Sequence, residues 1–386
     1  MPAGVVIAGA GQGGFQVAAS LRSEGYDSAI TLIGEEPGLP YQRPPLSKAF
    51  MAGKQEIEAA RLRPEAFYRD QRIDLLMGER AVHIDHANRR VELASGGHVP
   101  YSHLVLATGA RNRLLPLERE VCYLRTREEA IGLRERLEGA REILIIGGGF
   151  IGLEIAAVAR SLGKRVLVVE AQGRLMARVV APVLSEFYRD LHLSQGVEFV
   201  FGTAEREIAE YRADLVVAGI GVLPNVELAE SCGLAVADGI VVDEYLRTAN
   251  PDIYAIGDCA SHPNRYAGGR TRIESVQNAV DQARSVAAGI VGRPHPYDAV
   301  PWFWTDQFHI KLQMVGLSQG CDRSVARGNP ESEKFSVFYF RQNRLIAIDS
   351  INRPADHMVG RKLLAAGTRL TPEQARDLDL DLRELV

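Results

Sequence analysis

The chain has 386 residues, 46% hydrophobic and 24% charged, and its 45 basic against 49 acidic side chains leave a formal net charge of -4. That length allows two or three domains with full hydrophobic cores, and the composition excludes intrinsic disorder over most of the chain. So small a net charge supplies no overall field for polyphosphate, and no nucleic-acid partner is expected.

The first element is an apolar strand, Val5-Val6-Ile7-Ala8, too short for a signal-peptide core. It runs into Gly9-Ala10-Gly11-Gln12-Gly13-Gly14, a helical stretch over 15–23, and a second strand Ile30-Thr31-Leu32-Ile33 that ends at Glu35. The same unit recurs 138 residues further on: Ile143-Leu144-Ile145-Ile146, then Gly147-Gly148-Gly149-Phe150-Ile151-Gly152, a helical stretch over 153–162, and Val166-Leu167-Val168-Val169 ending at Glu170. Each copy has the parts a dinucleotide requires: a tight turn, a backbone open to a pyrophosphate, a helix N-terminus aimed at its charge, and a carboxylate for a ribose. Two copies imply two dinucleotides.

Further along come two apolar strands with polar ends, Leu104-Val105-Leu106-Ala107-Thr108-Gly109 and Ile253-Tyr254-Ala255-Ile256-Gly257-Asp258. Beyond Pro301 the pattern changes to alternating strands over 311–315, 335–340 and 345–349, the last two joined across Gln342-Asn343, and then a helix over about 355–366. The fold class expected is α/β: two nested Rossmann-like dinucleotide-binding domains, with an α+β domain at the C-terminal end. The four cysteines, Cys122, Cys232, Cys259 and Cys321, form no C-x-x-C pair and have no histidine at ligand spacing, so neither a disulfide framework nor a metal site is expected. No apolar run approaches the ~18 residues of a membrane span, so the expected place is the cytoplasm, with no membrane partner.

With Tyr41-Gln42-Arg43-Pro44-Pro45-Leu46-Ser47-Lys48, Tyr123-Leu124-Arg125-Thr126, Ala218-Gly219-Ile220-Gly221, Arg272-Ile273-Glu274-Ser275-Val276-Gln277-Asn278-Ala279 and Pro301-Trp302-Phe303-Trp304-Thr305-Asp306-Gln307 in place, the chain resembles the two-dinucleotide flavoprotein reductases. Within them it is similar to the NADH-dependent ferredoxin reductases that serve bacterial cytochrome P450 and Rieske-type oxygenase systems. The resemblance implies FAD in the first fold, assembled from residues 1–112 and 236–298, NADH in the second, 113–235, and a C-terminal domain over 299–386. It implies FAD contacts at Gly9, Gly11, Gly13, Gly14, Glu35, Arg43, Lys48, Val82, Ala107, Thr108, Gly109, Arg125, Gly257 and Asp258. At the flavin it implies the backbone of Val276, with Glu274 near the nicotinamide carboxamide and Trp304 as an aromatic wall. The second site takes Gly147, Gly149, Ile151, Gly152, Glu154, Glu170 and Gly219.

Lysine accounts for only six of the 45 basic residues, and Lys48 follows the stiff Arg43-Pro44-Pro45 turn. A compact ammonium fits beside flavin N5 where a broad guanidinium would not, and the resemblance pairs Lys48 with Glu154 as the catalytic pair. A helix beginning near Ser275 would offer its positive end to a reduced flavin. Glu170 favours NADH, since its carboxylate bonds a 2'-hydroxyl and repels a 2'-phosphate; Arg174 and Arg178 would rescue NADPH if they turned inward. The expected acceptor is a ferredoxin-type iron-sulfur protein, two-iron or Rieske, docked on a local Arg cluster drawn from Arg43, Arg63, Lys311 and Arg353. Rubredoxin is the alternative acceptor, and a binding module like the mammalian apoptosis-inducing factors is the alternative role. The redox cysteine of the disulfide reductases has no counterpart before Cys122, and Cys259 reads as packed and inert. The oligomeric state stays open between monomer and weak dimer.

Overall fold

A computed structural model describes residues 3–202, 208 and 210–386. The chain forms two compact units, one of Met1–Gln42, Glu58–Arg111 and Val222–Ala299, the other of Arg43–Ile57, Asn112–Gly221 and Val300–Val386.

The first unit is built on a sheet begun by β1 (Gly4–Ala8), whose five residues are all buried, as a central strand covered on both faces must be. After α1 (Gln12–Ser23) come β2 (Ile30–Gly34), β3 (Ile73–Met77), β4 (Ala81–Asp85), β5 (Arg90–Leu93) and β6 (His98–Leu106), in the spatial order β3-β2-β1-β6-β5-β4. β6 does two jobs. Its first residues pair antiparallel with β5, while residues 101–106 lie parallel to β1 on one side and its last three residues parallel to the strand Ile253–Ala255 on the other. Phe15, Val17, Ala18 and Leu21 of α1 share one core with Ala283, Val286 and Ala287 of the helix Val276–Ile290. Every parallel strand in this sheet points its C-terminal end, and therefore its loop, to one edge, which is where an open α/β sheet receives ligands.

The second unit repeats the plan. α2 (Arg127–Gly139) starts with a capping box in which Thr126 and Glu129 satisfy each other's backbone N–H groups. β7 (Glu142–Ile146), α3 (Phe150–Ser161), β8 (Arg165–Glu170), α4 (Pro182–Ser194), β9 (Val197–Phe201) and β10 (Leu215–Ala218) follow, the strands all parallel in the order β9-β8-β7-β10. The C-terminal part is an antiparallel sheet of β11 (Trp302–Gln307), β12 (Ile310–Gly316), β13 (Arg323–Asn329), β14 (Lys334–Arg341) and β15 (Arg344–Ile351), ordered β11-β12-β15-β14-β13, with α5 (Pro354–Ala366) against it. Gln342 and Asn343 both take left-handed φ, 51° and 57°, as a two-residue hairpin between right-twisted strands requires. Leu153, Leu184 and Tyr188 share a core with Ile310, Leu312, Phe335 and Val337, so in this unit the glycine-loop helix and the C-terminal sheet are packed as one body.

Candidate functional site

Each glycine loop answers two different demands. Gly9 has φ +115°, and a Cβ on Gly14 would stand 1.8 Å from the Gly9 carbonyl oxygen, so the turn itself excludes a side chain there. A Cβ on Gly11 would meet nothing within 4 Å. Gly11 nonetheless caps α1, and among the described residues no side chain caps the N–H groups at the helix start. The second loop is alike: Gly147 has φ +103°, a Cβ on Gly152 would lie 2.1 Å from the Gly147 oxygen, and Gly149, the uncapped start of α3, has its nearest neighbour at 3.8 Å. Space and free donors coincide at each helix start, which is the fit a pyrophosphate needs. Gly219 closes the second loop from above, its oxygen 2.6 Å from where a Gly147 Cβ would fall, and Ile151 is exposed beside it.

In the first unit Ala107 backs Gly9, and the Ala107-Thr108-Gly109 turn is held by Asn225. The Thr108 hydroxyl donates to the Asn225 carbonyl (2.7 Å), the Asn225 amide donates to the Thr108 carbonyl (2.9 Å), and its backbone N–H donates to Gly109 (2.9 Å). Gly13 abuts Ile256, so the first glycine loop, this turn and the Gly257-Asp258 turn converge. The Gly257 N–H donates to Gln282 (2.7 Å), whose amide reaches His262 (3.2 Å), a ring that burial holds down to about 4. Cys259 is wholly buried and burial pushes its thiol up, which makes it inert. Ser275 caps the helix Val276–Ile290, so Val276 is its first residue, and Glu274 is held by Arg272 (2.6 Å) while remaining half exposed. Glu35 follows β2, exposed, 3.9 Å from Arg80, and Val82 is exposed on β4.

In the second unit the Lys48 ammonium lies 2.8 Å from Glu154 Oε1, and Glu154 is 2% exposed. The pair meets because Ser47 and Lys48 end the turn Pro44–Ser47 against α3. Arg43 donates to the carbonyl of Arg125, whose own N–H donates to Glu129 (2.8 Å), tying the proline turn to the start of α2. On β11, Trp302 and Trp304 share a face with ring centroids 5.6 Å apart, while Phe303 and Thr305 face α3, Phe303 packing on Phe150 at 5.0 Å. At the end of β8 both Glu170 oxygens accept backbone N–H groups, from Gly148 and Gln172, each at 2.7 Å. Arg174 is spent on Val180, Ala177 and Ser185, so it does not serve a phosphate. Of the docking candidates, Arg63 lies over Phe15 and Phe67, Lys311 is 3.6 Å from Asp306, and Arg353 is 2.7 Å from Asp356.

The sequence did not disclose Asn225, Gln282, Ser47, Thr305 or Gln307 as site residues. Ser47, Thr305 and Gln307 stand inside segments that carry the family resemblance, but their roles, like those of Asn225 and Gln282, come from contacts distant in sequence.

Residues 3–283 match the model of the pyridine nucleotide-disulphide oxidoreductases and residues 302–386 that of the reductase C-terminal domain. The chain belongs to the pyridine nucleotide-disulphide oxidoreductase family. It is 49% identical to rhodocoxin reductase of Rhodococcus erythropolis, over 98% of this chain and 93% of that one, and 39% identical to putidaredoxin reductase CamA of Pseudomonas putida, over 99% and 96%. Among solved structures it superposes on the ferredoxin reductase for the CYP199A2 system of Rhodopseudomonas palustris with a TM-score of 0.95, at 48% identity over 98% of both chains. The ferredoxin-reductase resemblance read from scattered motifs therefore holds along nearly the whole chain, with the C-terminal domain that such a reductase carries.

Proposed function

We propose that the protein is an FAD-dependent oxidoreductase that takes hydride from NADH and delivers single electrons to a ferredoxin-type iron-sulfur protein feeding an oxygenase. The observation that carries this reading is the Lys48–Glu154 pair. A buried carboxylate is costly to keep, and here it holds an ammonium on the turn that follows the first strand, glycine loop, helix and strand. Bound FAD supplies the conversion of a two-electron hydride into one-electron steps. The chain's part is binding, orientation and charge. The Gly9–Gly14 loop takes the flavin nucleotide's pyrophosphate on the α1 N-terminus, with Asp258 and Glu35 as hydroxyl acceptors. Lys48 sets positive charge at flavin N5, the N-terminus at Val276 sets it at the pyrimidine end, and Trp304 shields the ring. The Gly147–Gly152 loop takes NADH, with Glu170 on its ribose and Glu274 on its carboxamide.

The acceptor reading draws on the relatives: putidaredoxin reductase is known in a covalent complex with putidaredoxin. Rubredoxin is the second reading, since a rubredoxin-NAD(+) reductase of Pseudomonas putida is 39% identical over 91% of this chain. Stopped-flow reduction of two-iron, Rieske and rubredoxin acceptors by the NADH-reduced holoprotein separates them. Fast reduction of a two-iron or Rieske protein is expected. Slow reduction of artificial dyes alone would overturn the electron-carrier reading in favour of a binding module.

A further inference from the structure

Three donors fill the Glu154 carboxylate. Lys48 and the Thr305 hydroxyl, at 2.8 and 2.6 Å, share Oε1, and the Ser47 hydroxyl bonds Oε2 at 2.5 Å. Ser47 and Lys48 come from one turn. Thr305 comes from β11, where it is wholly buried, and it heads a row of its own. Gln307, on the same face of the strand, places its amide nitrogen 3.4 Å from the Thr305 oxygen and its amide oxygen 2.9 Å from Nε2 of His192 on α4. Gln307 and His192 are both fully buried.

Each bond in this row dictates the next. Nδ1 of His192 has no partner among the described residues, so the ring proton belongs on Nε2, where Gln307 accepts it. Burial holds that ring neutral, with its titration lowered to about 4. With its oxygen committed to His192, Gln307 must turn its NH2 toward Thr305. The Thr305 oxygen accepts there, and its one proton is left for Glu154. The donors therefore all run one way, from His192 to the carboxylate. A core position needing only bulk would be filled as well by valine, without a hydroxyl to satisfy.

We propose that Thr305 is a positioning residue: oriented by Gln307 and His192, its hydroxyl fixes the Glu154 carboxylate so that the oxygen it shares with Lys48 holds the ammonium in one place. The consequence for hydride transfer rests on the reading of Lys48 given above; the consequence for the ion pair does not.

The test compares Thr305→Val, Thr305→Ser and Gln307→Leu in the holoprotein. Because the chain has six lysines, 15N-lysine labelling yields few side-chain signals, and that of Lys48 is identified by its loss in Lys48→Met. Thr305→Val should shift or broaden the Lys48 signal, make the flavin midpoint potential more negative and slow flavin reduction about tenfold with KM for NADH little changed. Thr305→Ser should restore all three, and Gln307→Leu should move them the same way by a smaller amount, roughly threefold in rate. An unmoved Lys48 signal in Thr305→Val would overturn the proposal, as would Thr305→Ser behaving like Thr305→Val. If Thr305→Val does not fold, an unmoved signal in Gln307→Leu overturns it equally. Lys48→Met with a native rate and potential would instead defeat the placement of Lys48 at the flavin, while the Lys48 signal of the resting protein would still report on Thr305.

Discussion

The two members of the central ion pair are not equivalent, because Lys48 is 22% exposed at its side chain and Glu154 only 2%. Lys48→Met strands a carboxylate in the core with two hydroxyl donors, whereas Glu154→Gln leaves an ammonium that reaches water. Breaking a buried pair from the side that leaves its partner buried costs roughly 3–5 kcal/mol, and the two hydroxyls lower that to about 2–4. Denaturant unfolding should therefore find Lys48→Met less stable than Glu154→Gln by at least ~1 kcal/mol. Both variants should reduce their flavin more slowly than the native protein. A second residue-scale outcome concerns Glu170. Its two oxygens are turned to the loop by Gly148 and Gln172, and Arg174 is bound inward, so no cation balances a 2'-phosphate from that arginine. Glu170→Gln should lower the preference for NADH over NADPH, measured as the ratio of kcat/KM values, by about tenfold, the equivalent of roughly 1.4 kcal/mol of relieved repulsion.

At the scale of the element, the two glycine loops make separable predictions, since some of their glycines serve the turn and others serve what approaches it. A Cβ at Gly152 collides with the Gly147 carbonyl, and Gly152→Ala should destabilise the second unit. A Cβ at Gly149 meets no atom closer than 3.8 Å. Gly149→Ala should lower the melting temperature by only about 2–4 °C, for the roughly 1 kcal/mol that alanine costs against glycine at a helix N-cap, yet weaken NADH markedly by occupying the path of the pyrophosphate. Fluorescence titration with NADH beside a thermal melt distinguishes the two. Such loops are legible in a sequence because every demand falls within a few consecutive residues: strand, turn, helix start, acid. The row that ends on Glu154 was not. Thr305 and Glu154 are 151 residues apart and His192 and Gln307 115 apart, and each looks locally like an ordinary strand or helix residue. What brings them together is the packing of β11 on α3 and α4, which no periodicity encodes. Gln282 behind Gly257 is a similar case, a buried amide on the helix Val276–Ile290, 25 residues along the chain from the turn it holds.

For the whole molecule, the buried titratable groups set how stability responds to pH. Burial lowers His192, His262 and His357 to about 4, from a usual value near 6.5, so the unfolded chain takes up protons on these three rings before the folded one does. Their contribution is fully present above 6.5 and is lost as pH falls toward 4. Asp349 opposes them. It is wholly buried, held by the Tyr339 hydroxyl, and raised from 3.8 to about 7, chiefly by desolvation, so its contribution is complete below 3.8 and is lost as pH rises through 7. Between about 4 and 6.5 three rings outweigh one acid, and for these four groups the unfolded chain binds roughly one to two more protons, most near the middle of that range. Stability should accordingly climb with pH across that window. His357, whose ring packs edge-on to Trp302 at 5.8 Å, stands outside the row that serves Glu154 and gives the cleanest check. Proton uptake on unfolding between pH 4.5 and 6, taken from urea midpoints as a function of pH, should fall by nearly one proton in His357→Phe. In Asp349→Asn it should rise by nearly one, because the acid that the folded state keeps protonated is gone. A midpoint that follows the same pH course in both variants as in the native protein would mean that these groups titrate alike in the folded and unfolded chain.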